Sequence, residues 1–303
     1  MSTPDSKQQR PLAGILWMLA AGLCFVLMTA LVKVMGGTMH PVQLAFLRYL
    51  LGLVFVLPVI RPLITTRFTP RQWSLFGIRG AMHSVAVMLW FYAMTQIPLA
   101  EVTAMNYLTP IYVTLGAVFL LGEKLAARRI SAIVIALFGA LIILRPGFRD
   151  VSPGHLAMLG TTLMLGGSYL LAKVTVDEVR PALVLAQMSL WVTLFLAPFA
   201  VAVWQPFSPS DLGLVFLIAA LATAGHYGMT RALQAAPVAV TQPATFLQLV
   251  WSVALGALAF DEGVDPWVVA GGTLILASVS FISWREAALN RRQITPVNIA
   301  PKL

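Results

Sequence analysis

The sequence predicts an all-α integral membrane protein with ten transmembrane helices, arranged as two inverted repeats of five. Three observations carry this. Of its 303 residues, 59% are hydrophobic and only 10% charged, with a mean hydropathy of +0.86; a soluble domain carries about 25% charged residues. Residues 12 to 288 divide into ten apolar stretches with very short connections, and about 20 such residues cross a bilayer core. The first half also matches the second in register. With a shift of 140, Lys33 falls on Lys173, Pro41 on Pro181 and Pro58 on Pro198; with a shift of 139, Pro98 falls on Pro237 and Glu123 on Glu262. Apolar composition produces chance Leu and Ala matches, but not a lysine, prolines and a glutamate in order.

In chain order, the first span runs from Leu12 to Met35 and holds Trp17, Cys24 and Lys33. It is too long for a cleavable leader and lacks a small-residue cleavage site, so it reads as a retained anchor. Cys24, the single cysteine, is a small packing residue within it. The second span, Val42 to Ile60, carries Arg48 near one end, where a structural role is expected. The third, Gln72 to Thr95, carries Arg79 and places His83 and Trp90 seven apart on one face. In the fourth, Glu101 to Leu121, one face holds Thr103, Asn106, Pro110 and Thr114. Pro110 removes a mid-span backbone donor, which predicts a kink or hinge. The fifth, Arg129 to Leu144, is short and apolar.

The sixth span, Gly154 to Val176, sets Tyr169 one turn from Lys173. The seventh runs from Pro181 to Val203, and the eighth, Asp211 to Ala235, has His226 and Tyr227 at its middle and Arg231 toward one end. The ninth, Val240 to Phe260, carries the clearest polar stripe: Thr241, Thr245, Gln248 and Ser252 at helical spacing, with Gln242 and Pro243 at its start. In the repeat, Asn106 aligns with Thr245 and Thr109 with Gln248. The tenth runs from Pro266 to Trp284. Trp73, Trp204, Trp267 and Trp284 stand at span ends as interface anchors. Lys33, Lys173 and Arg79 are each near a span boundary, where a long cation snorkels to the interface; the mirrored Lys33 and Lys173 are also candidates for gating.

The net charge of +9 is not a nucleic-acid signal. Thirteen of the twenty Lys and Arg fall in segments on one side, and only Arg145 and Arg149 clearly on the other. That asymmetry places both termini in the cytoplasm and directs the basic loops to anionic lipid. Residues 1–11 and 289–303 are cytoplasmic tails, and residues 12–147 and 148–288 are the two repeats.

Tyr107-Leu108-Thr109-Pro110 running to Gly122-Glu123-Lys124, then Gly139 to Leu144 followed by Arg145-Pro146-Gly147, resemble the fourth and fifth helices of the drug/metabolite transporter superfamily, in its form with two EamA-type domains. The second copy is weaker: it has Asp261 where the first has Gly122, and lacks the terminal Arg-Pro-Gly. The resemblance covers nearly the whole chain. It implies alternating access around a central cavity lined by helices one, three, four, six, eight and nine. Within the superfamily the chain resembles aromatic-amino-acid exporters of bacterial inner membranes; riboflavin and S-adenosylmethionine carriers share the skeleton.

The expectation is a secondary or facilitative carrier of amino acids, aromatic or otherwise neutral, in the efflux direction, with riboflavin or S-adenosylmethionine as the alternative cargo. Polar groups within a membrane are costly and mark pathways. The candidate substrate-binding residues are Trp17, His83, Trp90, Asn106, Tyr107, Tyr169, His226, Thr245 and Gln248, and the gating or hinge candidates are Lys33, Pro110 and Lys173. Asn106 and Gln248 would bond the polar head of the substrate. The aromatic residues would stack on its apolar part. No acidic residue stands at mid-membrane, so a carboxylate proton relay is not expected; a histidine relay stays open. No ATP-binding loop is present, and neither H-E-x-x-H nor G-x-S-x-G occurs. No enzyme activity, cofactor, metal or nucleic-acid partner is therefore expected. The partners are a small molecule and the lipid bilayer of a bacterial inner membrane. Two repeats complete one cavity, so a monomer is expected.

Overall fold

A computed structural model describes residues 10–121, 127–148, 150–176, 178–236, 238–241 and 244–294. Gly122, Glu123, Lys124, Arg149, Pro237, Gln242 and Pro243, singled out above, lie outside them.

The described residues form thirteen α-helices. The first span is α1 (Pro11–Met35). The second is α2 (Pro41–Gly52), a 3-10 segment Leu53–Val59 around Pro58, and α3 (Ile60–Thr65). It continues past the expected end at Ile60, because the chain tightens at the proline without leaving the helical path. The third span is α4 (Pro70–Gln96). The fourth is broken into α5 (Leu99–Asn106) and α6 (Thr109–Leu121). The fifth and sixth are α7 (Ala127–Leu144) and α8 (Pro153–Val176). The seventh and eighth are α9 (Pro181–Ala202) and α10 (Pro209–Ala235). The ninth is α11 (Val238–Thr241) and α12 (Thr245–Phe260). The last, α13 (Pro266–Ile294), continues as helix beyond Trp284.

Sequence explains the starts. Seven of these helices open on proline, whose missing N–H is one of the donors a first turn leaves unused. The third and eighth spans also share a capping box. Thr69 Oγ1 accepts from Gln72 N at 3.2 Å while Gln72 Oε1 accepts from Thr69 N at 3.0 Å. Ser208 and Asp211 repeat this at 3.2 and 2.8 Å. The two boxes are 139 residues apart, the shift that relates the repeats.

The halves meet symmetrically. α1 packs along α10 and α4 along α8, which pairs spans one with eight and three with six; exchanging the repeats turns one pair into the other. α2 packs on α9, and α7 on α13. Packing across α7 and α13 depends on glycine. A Cβ on Gly271 would stand 2.5 Å from the Gly139 carbonyl oxygen, and one on Gly139 2.8 Å from that of Gly271. Helices in lipid gain little from apolar burial against one another, so close backbone approach at small residues drives their association. Large apolar side chains turn outward instead, with Phe119 82% and Leu258 86% exposed. Trp73, Trp204, Trp267 and Trp284 are exposed at span ends, as membrane-interface aromatics are.

The fold is therefore all-helical, a ten-span membrane protein of two repeats. Eight spans are long and apolar enough to cross a bilayer, and the fifth and ninth contribute shorter apolar helices, Ile130–Leu144 and Thr245–Phe260.

Candidate functional site: a central cavity

A cavity of about 520 Å³ lies between the halves, within the range of roughly 300–1,000 Å³ usual for small-molecule sites. His83, Trp90, Asn106, Tyr107, Pro110, Tyr169, His226, Thr245 and Gln248 all line it. They come from the third, fourth, sixth, eighth and ninth spans, and the first contributes Met18 to Thr29.

A helix break in the fourth span shapes the wall. α5 stops at Asn106, and Tyr107 N and Leu108 N reach back to Ala104 O at 3.3 Å and Met105 O at 3.0 Å. α6 then restarts at Thr109, which puts Pro110 in a first turn where its lost donor costs little. The expected kink is thus a two-residue turn between two helices, bridged by those bonds. In the ninth span the described helices are α11 and α12, and the residues of its polar stripe have different surroundings. Thr245 and Gln248 face the cavity. Ser252 instead pairs with Thr103, Oγ to Oγ1 2.7 Å, in a buried contact, and Thr241 is fully buried. The fourth and ninth spans meet where Tyr107 donates its hydroxyl to Thr245 O at 2.7 Å.

His83 is buried, with Nδ1 3.1 Å from Ser168 Oγ and Nε2 3.0 Å from Tyr49 Oη. Both ring nitrogens are engaged, so its immediate role is to tie the third span to the second and sixth. His226 has its ring 5.1 Å from Phe25, edge to face.

Three expectations need correction. Trp17 does not line the cavity: its ring packs edge-on against Tyr227 at 5.9 Å, with the Arg231 guanidinium 5.5 Å from it. Arg79 does not snorkel. It is 6% exposed, and donates to Val184 O at 3.1 Å while Nη2 stands 3.3 Å from Met188 Sδ on α9. Arg48, assigned a structural role from its place near a span end, lines the cavity with its guanidinium carbon 3.9 Å from the Tyr49 ring centre. The only signal for Arg48 in the sequence is a charge within an apolar run.

Lys33 and Lys173 stand outside the cavity, at opposite ends of the bundle. Lys173 is exposed in the last turn of α8. Lys33 is mostly buried at the end remote from residues 10 and 285, the far end. It pairs with Glu262 at 2.5 Å and donates to Ile97 O at 2.9 Å. Glu262 Oε2 in turn accepts from Leu99 N at 2.9 Å. Gly256 makes room for that carboxylate, since a Cβ there would stand 2.4 Å from Oε2. Arg145 pairs with Asp265 beside it, and the buried His155 Nε2 lies 2.5 Å from Glu101 Oε2. Gln43 bonds both the carbonyl and the N–H of Gln205 at 2.8 Å. Except for Arg145, whose charge favoured one loop side, none of these far-end partnerships was evident in the sequence.

The other end, which carries both termini, is held more lightly among the described residues. Arg10 N donates to Ala235 O at 2.9 Å, and Arg71 with Gln72 engages the exposed Glu178. The bond from Arg71 holds the Glu178 carboxyl below its ordinary range. The cavity wall reaches toward this end at Thr245 and Ser283.

Known proteins agree with this architecture. A riboflavin transporter of Vibrio cholerae is 26% identical over 294 residues, covering 95% of this chain and 98% of the relative. An S-adenosylmethionine uptake transporter of Rickettsia prowazekii is 22% identical over 275 residues, covering 91% and 94%. A solved crystal structure covering 94% of this chain and 99% of its own superposes with a TM-score of 0.59 at 17% identity, a likeness of fold. The model of the EamA-like transporter family matches twice, over residues 12–145 and 152–284. The chain belongs to the EamA-like transporter family.

Proposed function

We propose that this chain carries a planar, aromatic metabolite of riboflavin's kind across a bacterial inner membrane, by alternating access around the central cavity. The observation that carries the reading is the cavity itself: it lies between two inverted repeats, the position of the substrate site in carriers of this design. Amino acids were the first expectation from sequence. The relatives' names, riboflavin transporter and S-adenosylmethionine uptake transporter, favour the alternative. An aromatic wall suits it too, because Trp90, Tyr107 and Tyr169 offer ring faces for stacking.

In this reading Asn106 and Gln248 bond the polar edge of the ring system from opposite halves, and the break before Pro110 lets the wall of the fourth span move. Lys33 acts at the far-end closure and Lys173 at the other end. Both termini lie in the cytoplasm, and one chain is the working unit.

The test is flux of labelled riboflavin into liposomes containing purified protein. Saturable uptake above protein-free liposomes is expected, with Asn106→Ala and Gln248→Ala each slowing it about tenfold, the loss of one or two hydrogen bonds. Flux of labelled phenylalanine or tryptophan without riboflavin flux would return the assignment to amino acids. Unchanged flux in both variants would remove those two residues from the site.

A further inference from the structure

Two of the groups facing the cavity are buried donors without an acceptor. Arg48 is 9% exposed and, among the described residues, makes no hydrogen bond or ion pair; its Nε is buried without a partner. The indole Nε1 of Trp90 is likewise buried and unpartnered. The side-chain amide of Gln248 and the Tyr169 hydroxyl also line the space without a hydrogen bond among the described residues. Among the described residues no Asp or Glu lines the cavity. Glu101 and Glu262 are committed to His155 and to Lys33 at the far end. A second cation, Arg79, stands behind the wall and is bonded to neutral groups only.

This arrangement is expensive without a ligand. A guanidinium keeps its charge, and a charge within a membrane needs a counter-charge, an acceptor or water. Among the described residues the guanidinium meets an aromatic face at Tyr49 and makes no hydrogen bond to an acceptor. Its planar fork matches a pair of acceptor oxygens, or an oxygen beside a ring nitrogen.

We propose that Arg48 is the polar anchor of the substrate and sets its class. The cargo presents an electron-rich acceptor edge, such as the carbonyl and ring-nitrogen edge of a flavin, to Arg48 and Trp90, and cations are rejected. This rests on the carrier reading above and sharpens it. Of the two cargoes named for the relatives, it favours riboflavin over S-adenosylmethionine: the latter's carboxylate can meet the fork, but its sulfonium and ammonium leave a net positive charge that no described carboxylate of the cavity receives.

The experiment is competition against labelled riboflavin uptake in proteoliposomes, with lumichrome, which keeps the acceptor edge without the ribityl chain, and with S-adenosylmethionine. Folding of each variant is checked by its elution profile and melting temperature. In the wild type, lumichrome competes and S-adenosylmethionine does not. In Arg48→Gln the lumichrome concentration for half-inhibition and the riboflavin KM both rise about tenfold or more; in Arg48→Lys, which keeps charge but loses the fork, they rise less. Equal competition by S-adenosylmethionine in the wild type overturns the proposal while leaving the protein a carrier. So does unchanged flavin affinity in folded Arg48→Gln. If the wild type moves no riboflavin, the flavin reading fails separately. Quenching of tryptophan fluorescence by lumichrome and by S-adenosylmethionine then decides: binding of the cation, or flavin binding indifferent to Arg48→Gln, overturns the anchor.

Discussion

The two ends of the bundle are held by different forces. At the far end, two ion pairs, a histidine–carboxylate hydrogen bond and a two-bond amide clasp join segments of opposite repeats: Lys33 with Glu262, Arg145 with Asp265, His155 with Glu101, and Gln43 with Gln205. Glu101 and His155 are 4% and 5% exposed at their side chains, and Glu262 is 12%. At the end bearing the termini, the described ion pair between Arg71 and Glu178 is open to solvent, at 63% and 35%. Buried pairs have paid desolvation and cost several kcal/mol to break one-sidedly; exposed ones are screened and contribute little. The difference teaches that this conformation is closed by chemistry at one end, while the cavity wall extends toward the other.

Breaking the buried end should have the largest effect. Glu262→Gln leaves Lys33 without its counter-charge, so a loss of about 3 kcal/mol in the latched state is expected. Riboflavin flux should fall at least tenfold and the melting temperature in detergent should drop. Gly256→Ala attacks the same carboxylate by volume instead of charge. Its Cβ would stand 2.4 Å from Glu262 Oε2, and about 1–3 kcal/mol of overpacking strain is expected. A milder loss in the same two measurements would show that placement of the carboxylate, and not charge alone, holds the closure. Gly271→Ala, within the first two turns of α13, serves as a packing control that removes no charge. It should destabilise by a similar 1–3 kcal/mol through its clash with the Gly139 carbonyl, and leave riboflavin KM unchanged.

The exposed end should barely respond. Arg71→Ala is expected to leave the melting temperature and flux at neutral pH within error. The pH dependence follows from the lowered titration of Glu178, caused first by its bond from Arg71. A carboxylate depressed in the folded state contributes above its ordinary range and loses that contribution as pH falls through its folded value. Arg71→Ala should therefore change thermal stability above that range only slightly, and not at all well below it. A large effect at neutral pH would mean that the terminal end is latched as firmly as the far end.

Much of this was legible in the sequence, for identifiable reasons. The ten spans follow from length and hydropathy, since a bilayer forces both. The repeat follows from Lys33, Pro41 and Glu262 recurring in register, and the capping boxes at Thr69 and Ser208 extend that register into local structure. Asn106, Tyr107, Thr245 and Gln248 were found because polar groups in mid-span are costly enough to be informative. Arg48 was undervalued because distance from a span end, counted in residues, does not say which face of the helix meets the cavity. Trp17 was misplaced for the same reason: depth along α1 is readable, but rotation about it is set by packing on α10. The form of the break in the fourth span was not legible, because a proline signals lost hydrogen bonding without saying whether the chain kinks smoothly or tightens into a turn. The far-end pairs join residues up to 229 apart, Lys33 and Glu262, and no local pattern announces such a contact.

The central claim is that substrate passage requires the far end to open. The direct measurement is riboflavin flux through protein carrying cysteines at positions 33 and 262, with Cys24 replaced by serine, joined by a short cleavable bifunctional thiol reagent. The account predicts that cross-linking stops flux and that cleaving the linker restores it to the level of the uncross-linked variant. Flux undiminished in fully cross-linked protein would contradict it.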